Sequence, residues 1–197
     1  MGQFPNMNAD PAEHLGSCDV IDTTSPSIIE CAKRLAGGDL VQTAANCFHF
    51  VRDEIKHSWD FKLNPVTCLA SETLKHGTGY CYAKSHLLCS LLRANGIPAG
   101  LCYQRLSLDG IGPPFCLHGL NAIYLPVHGW YRVDARGNTQ NVDVQFSPPV
   151  ERLAFPIAVE READLPGIHK KPLAAVTQCQ LQHSDWQAVY ENLPDVG

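Results

Sequence analysis

The sequence predicts an α+β domain, with helical periodicity in its first half and alternating strands after it. Three observations carry this reading. Leu40, Ala44, Cys47, Phe48, Val51 and Ile55 recur at 3–4 spacing, as on one face of a helix. A second apolar face, made of Leu87, Leu88, Leu91 and Leu92, lies in 81–94 between Gly79 and Asn95-Gly96. Short strand-like runs then alternate across 99–134, folded back by a turn at Pro126 to Gly129.

The elements follow in order. Residues 1–24 are turn-rich and irregular. Ser25 before Pro26 predicts an N-cap with proline at the first helical position, and Gly37-Gly38 stops that helix after Leu35. The next helix starts after Asp39 and reaches about His57. Trp59-Asp60-Phe61 then leads into a loop around Asn64-Pro65. Thr67 or Ser71 is expected to cap a short helix reaching Lys75, and the strong helix Cys81–Ala94 follows. Strands are expected at 99–105, 117–125 and 130–134, the last two forming an antiparallel hairpin because their connection is short. Leu153 to Val159 reads as an edge strand interrupted by Pro156, and two short helices close the chain near 173–180 and 185–192. One domain over 1–197 is expected, with its core at about 40–140, an irregular N-terminal segment and a small C-terminal extension.

Composition narrows the function. A hydrophobic fraction of 45% with 18% charged residues is that of a globular chain. The net charge of −5, without clustered Lys or Arg, argues against nucleic acid as a partner. No apolar run approaches the ~20 residues of a membrane span. Met1 to Pro11 show no basic segment followed by an apolar one, so no secretory leader is expected. Nine cysteines, an odd number spread through helices and strands, read as reduced thiols of a cytoplasmic protein. The C-x-H pairs Cys47/His49 and Cys116/His118 are the closest approach to metal-ligand spacing. No metal site and no cofactor are expected.

The informative stretch is Gly77-Thr78-Gly79-Tyr80-Cys81-Tyr82-Ala83-Lys84. Two glycines allow a tight bend, after which Cys81 opens a helix. Unpaired N–H groups and the positive dipole end there favour a thiolate and can receive an oxyanion. A thiol needs a base, and the base needs an orienting acid. His118 opens one strand of the hairpin and Asp134 closes the other. A turn centred near residue 126 would set the two side by side. Tyr80 and Trp59 are candidates to shape the cleft or donate to an oxyanion, and Arg136 is a candidate for a substrate carboxylate. His57, His76 and His128 read as solvent-exposed residues at loop ends, and Arg93 and Arg105 as partners of surface acids. His86, five residues after Cys81, points away from it on the helix.

The run from Gly79 to Ala99, together with His118 and Gly129-Trp130-Tyr131-Arg132-Val133-Asp134, resembles the transglutaminase-like superfamily. In that family G-x-C precedes a helix ending in L-L-R-A-x-G-I-P-A. The resemblance covers roughly residues 40–140. It implies a papain-like core, with the nucleophile helix packed on an antiparallel sheet, and a triad of Cys81, His118 and Asp134. Gly119-Leu120 after the histidine and Ala135 after the aspartate depart from the family's usual residues. The implied activity is acyl transfer from a peptide or protein amide without a cofactor. Hydrolysis is favoured because the chain leaves no room for the accessory domains of crosslinking enzymes. Protein-glutamine transglutamination, glycan-releasing amidase activity and a non-catalytic binding module remain alternatives.

Overall fold

The computed structural model describes residues 8–196. Residues 1–7, where part of the expected irregular segment falls, lie outside the described residues. After a 3-10 turn at Pro11–His14 come three helices: α1 (Pro26–Leu35), α2 (Leu40–Glu54) and the four-residue α3 (Ser58–Phe61). The two-residue strand β1 (Lys56–His57) separates α2 from α3. Next come α4 (Ala70–His76), β2 (Thr78–Gly79) and α5 (Cys81–Ala94). The main sheet contains β3 (Ala99–Ser107), β4 (Phe115–Leu125), β5 (Gly129–Val133) and β6 (Ala163–Asp164), and the chain ends in α6 (Ala174–Gln182) and α7 (Trp186–Glu191). β5, β4, β3 and β6 form an antiparallel sheet in that order, while β1 and β2 pair in parallel.

The helix α5 is the axis of the fold. Every residue from Cys81 to Arg93 is buried, because helices cover one side of it and the sheet covers the other. Leu87, Leu88, Leu91 and Leu92 meet Phe48, Val51, Ile97, Leu101 and Ile123 in one core. At ~25 cal/mol per Å² of apolar surface, each such side chain contributes roughly 1.5–3 kcal/mol. Several polar residues of α5 bond to backbone carbonyls, while His86 Nε2 and Ser90 Oγ have no hydrogen-bond partner among the described residues. Ser85 Oγ donates to the Cys81 carbonyl (2.7 Å), and His86 Nδ1 meets the Cys68 carbonyl (2.9 Å). Lys84 Nζ donates to the carbonyls of Arg52 and Ile55, tying the end of α2 to the first turn of α5. Burial lowers the Lys84 pKa to about 7.

Several local expectations are corrected. Asp39 caps α2 through the Gln42 N–H (2.8 Å), but Ser25, although at the N-cap of α1, turns its hydroxyl to Ser27. Neither Thr67 nor Ser71 caps α4. The Thr67 hydroxyl donates to the Thr78 carbonyl (2.9 Å), and the first turn is served by Glu72 from within it. The helix α2 stops at Glu54, so His57 falls on a strand. Residues 153–159 form no strand. Pro156 lacks the N–H an edge needs, and the place beside β3 goes to Ala163–Asp164. Arg93 pairs with no acid: it is buried and donates to the carbonyls of Ala99, Gly16 and Lys170.

The hairpin register is also corrected. Asn121 opposes Val133 and Leu125 opposes Gly129, so the turn is centred on residue 127 and not 126. Asp134 therefore lies beyond the last β4–β5 pair, and His118 reaches it diagonally. No helix among the described residues is long and apolar enough to cross a membrane.

Candidate active site

Cys81 is the first residue of α5, delivered there by a tightly packed approach. Gly77 sits at φ 64, a left-handed conformation that ends α4 at little cost only for glycine. Gly79 is required for space: a Cβ there would lie 2.8 Å from the Ala83 Cβ and 3.0 Å from Thr67 Oγ1. Parallel pairing of His57 with Gly79 locks this approach against β1. Cys81 is 7% exposed and lines a cleft of about 220 Å³.

The cleft joins Cys81 to His118. His118 Nε2 lies 2.6 Å from Asp134 Oδ2, with both side chains buried. That contact occupies one ring nitrogen and leaves Nδ1 for the thiol. Asp134 is itself held by the N–H groups of Arg136 (3.0 Å, to Oδ1) and Ala154 (3.1 Å, to Oδ2). Burial opposes charge on His118. The Asp134 carboxylate and the Cys81 sulfur outweigh it by charge and hydrogen bonding, raising the His118 pKa to about 10. Burial likewise opposes charge on Asp134, and the His118 cation with the two N–H donors overcomes it, holding the carboxyl below its usual range. Both directions describe one buried imidazolium–carboxylate pair.

The departure Gly119 has a spatial reason. A Cβ there would meet Tyr82 Cδ1 at 3.0 Å and the Tyr82 Cα at 3.4 Å, so its absence lets β4 approach the first turn of α5. The Tyr82 hydroxyl fastens the same junction by donating to the Leu117 carbonyl (2.5 Å).

The remaining candidates line the cleft with other partners. Tyr80 donates its hydroxyl to the Trp186 carbonyl (2.5 Å). Trp59 stacks on Tyr190 with ring centroids 3.6 Å apart, and Lys62 Nζ lies 3.1 Å from the Trp59 ring centroid. Arg136 spends its guanidinium fork on Asp60, with both contacts at 2.9 Å. Apolar side chains, Leu106, Leu108, Phe155 and Leu193, complete much of the wall.

Sequence reasoning missed His57. It is not solvated at a loop end but 6% exposed, in the cleft beside Cys81, with its ring against Tyr80. Its Nδ1 lies 3.6 Å from Asp60 Oδ2, beyond hydrogen-bond range. Burial, reinforced by the charges of Arg136, Lys84 and His118, drives its pKa well below the ordinary histidine value. The only sequence signal was its position where the α2 periodicity ends. Its pairing with Gly79 is non-local.

All nine thiols are free, and seven are buried. Among the described residues no three His, Cys, Asp or Glu side chains converge as a metal cluster would. Cys116 and His118 share the cleft, but His118 is engaged by Asp134.

The fold and the cleft define the class: a helix-borne cysteine facing a histidine–aspartate pair on an antiparallel sheet. The profile of the Transglutaminase-like superfamily matches residues 30–135, more than half of the chain, and the protein belongs to that superfamily. Among solved structures, a protein of Cytophaga hutchinsonii provisionally named a cysteine protease is similar in fold at 18% identity. That match has a TM-score of 0.51 and covers 66% of this chain and 43% of the other. The periplasmic domain of TgpA from Pseudomonas aeruginosa aligns at 20% identity and TM-score 0.46, covering 66% of this chain and 48% of that one. This chain thus spans less than half the length of either. No curated protein matches the sequence.

Proposed function

We propose that the protein is a cysteine-dependent acyl-transfer enzyme that hydrolyses peptide or protein amides, with Cys81 as nucleophile, His118 as acid and base, and Asp134 as the orienting acid. The observation that carries this reading is the 2.6 Å contact between buried His118 and Asp134 beside a cysteine at a helix start. A scaffold used only for binding gains nothing from an imidazolium held in a low-dielectric cleft, where such a charge is costly. That argues against the non-catalytic alternative.

In this reading His118 takes the proton of the Cys81 thiol as the sulfur becomes the nucleophile. The sulfur attacks the amide carbonyl carbon, and the carbonyl π electrons move to oxygen. The orphan N–H groups of the first α5 turn would receive that oxyanion. Collapse re-forms the carbonyl and breaks the C–N bond, and the departing nitrogen takes the His118 proton. Neutral His118 then takes a proton from water, whose oxygen attacks the thioester and expels the thiolate. An amine in place of water would give transglutamination, and an N-linked glycan amide in place of a peptide would give glycan release. Three polar residues of the wall, Tyr80, Arg136 and Trp59, would shape the substrate site without a dedicated carboxylate receptor, because Arg136 is already forked by Asp60. Nine unpaired thiols support a reducing, cytoplasmic setting as part of the proposal.

The test is a screen of peptide amides and activated esters, with intact-mass detection of an acyl group on Cys81. Wild type should accumulate the acyl adduct with esters, and Cys81→Ala should show neither adduct nor turnover. Turnover retained by Cys81→Ala would refute the proposal.

A further inference from the structure

The segment after α7 returns to the cleft and lies along the start of β4. The Asn192 carbonyl accepts from Cys179 Sγ (3.3 Å), Leu193 lines the cleft with Cys81 and His118, and the Pro194 carbonyl accepts from the Leu117 N–H (2.7 Å). Arg105 forks the Asp195 carboxylate, with both N–O distances at 2.6 Å. The β4–β5 pairing ends at Asn121, so this stretch of β4 is an open edge, and residues 193–195 lie on it through the single backbone hydrogen bond from Leu117, whose carbonyl is held by the Tyr82 hydroxyl.

The acidic end of the segment meets a built cationic corner. The Arg105 guanidinium lies 4.1 Å from the centroid of the Phe115 ring and that of Arg161 lies 5.5 Å from it, while Arg105 Nη1 donates to the Arg161 carbonyl (3.1 Å). The hydrogen bonds from Arg105 hold the Asp195 carboxyl below its usual range against partial burial, and the Arg161 charge adds to them.

We propose that the β4 edge from Phe115 to Leu117, with Arg105 and Arg161, is a recognition strip for an extended peptide bearing an acidic side chain, and that Leu193–Asp195 of this chain occupies it in cis. The direction follows from the contacts. Leu193 is at the cleft and Asp195 at the Phe115 end, so the peptide runs antiparallel to β4. Its acidic residue stands two positions after the apolar residue that enters the cleft. At about 3.3 Å per residue, the cationic corner lies roughly 10 Å from His118, within the reach of one bound peptide. A tethered segment has an effective concentration on the order of millimolar, so a free peptide displaces it only by exceeding that or by making more contacts in the cleft. The strip thus both selects acidic peptides and restrains access to Cys81. Its consequence for turnover rests on the acyl-transfer reading, whereas the binding does not.

The test uses the full chain. Asp195→Lys should release the segment, read as faster hydrogen exchange at the Leu117 amide. It should also let a capped peptide copying residues 192–196 bind in trans at least about tenfold more tightly than to wild type, as expected once a tethered competitor is removed. Replacing the peptide's own aspartate by asparagine should abolish that gain. Arg105→Glu combined with Asp195→Lys reverses the fork, so it should restore protection at Leu117 and exclude the peptide. A Leu117 amide still protected in Asp195→Lys, or equal binding of acidic and neutral peptides, would overturn the strip. If no variant turns over any substrate while binding behaves as stated, the catalytic reading fails and the strip stands. If turnover depends on Cys81 and the peptide does not bind, the strip alone falls.

Discussion

His118 and Asp134 meet at 2.6 Å although they do not face each other across the hairpin. The register stops at Asn121 and Val133, so Asp134 lies past the paired ladder. Its carboxylate is positioned by the backbone N–H groups of Arg136 and Ala154, not by strand pairing. The acid is thus built into the polypeptide around it, with consequences for its replacement.

Asp134→Asn should cost both activity and stability. Asp134 is 1% exposed and accepts three hydrogen bonds, so its replacement is felt by the fold as well as by the site. Removing one partner of a buried pair costs about 3–5 kcal/mol, and an amide that still accepts one bond falls at the low end. Turnover should drop roughly 10²–10⁴-fold, less than the complete loss in Cys81→Ala. Denaturant unfolding and steady-state kinetics on both variants check this. Full stability in Asp134→Asn would contradict the anchoring role.

The pair also sets a pH window. The raised pKa of His118 stabilises the fold fully below its unfolded value of about 6.5, and that stabilisation is lost as pH rises through about 10. The depressed pKa of Asp134 stabilises the fold above the unfolded value of about 3.9, and this is lost as pH falls through the folded value. The stability difference between wild type and Asp134→Asn should therefore peak between about pH 4 and 6.5 and shrink on both sides. A difference that is flat from neutral to alkaline pH would remove the ion pair from the account.

Thiol labelling should single out Cys81. Burial raises the pKa of Cys47, Cys68, Cys102 and Cys116 to about 12 and of Cys89 and Cys179 to about 11, so these react slowly at neutral pH. Cys81 has the His118 imidazolium beside it and opens onto the cleft. Limited iodoacetamide treatment at pH 7 should alkylate it at least about tenfold faster than those six. Peptide mapping would show the order, and a faster buried thiol would overturn the nucleophile assignment.

Two imidazoles in one cleft should differ in charge, one cationic and one neutral. His118 stays protonated to about pH 10, whereas His57 stays neutral well below the ordinary histidine range. The His118 cation is one of the groups depressing His57, after burial, Arg136 and Lys84. Ring-nitrogen NMR should accordingly find His57 still neutral where an ordinary histidine is already protonated, and His118→Phe should move its titration upward. A His57 that titrates at an ordinary value in wild type would mean that the cleft is wetter than its packing implies.

How far the sequence disclosed the site depends on whether each relationship is local. The start of α5 at Cys81 was legible because glycines, a helix period and a cysteine lie within a few residues of one another. The β4–β5 hairpin was legible for the same reason, apart from a one-residue shift of its centre. What escaped was non-local. Pairing of His57 with Gly79, the Arg136–Asp60 fork and the return of residues 193–195 join segments far apart in the chain. The failed edge strand at 153–159 shows that an apolar run alone does not make a strand where proline removes a donor.

Gly119 offers the most direct test of how the nucleophile and base are spaced. In Gly119→Ala the new Cβ would lie 3.0 Å from Tyr82 Cδ1, tighter than ordinary packing by a few tenths of an ångström. Tyr82 has little freedom to yield, because it is fully buried and its hydroxyl is bound to the carbonyl of Leu117, the residue before His118. Any shift therefore separates α5 from β4 at the point where Cys81 meets His118. Overpacking of this kind costs about 1–3 kcal/mol. A displacement near 1 Å between reacting groups costs on the order of 10²-fold in rate. Gly119→Ala should thus lose turnover well beyond what its stability loss explains at a temperature where it remains folded, and Cys81 alkylation at pH 7 should slow with it. Tyr82→Phe combined with Gly119→Ala frees the ring from Leu117 and should recover part of the rate. If Gly119→Ala is destabilised but turns over normally, the close approach serves packing alone and the Cys81–His118 spacing is fixed elsewhere.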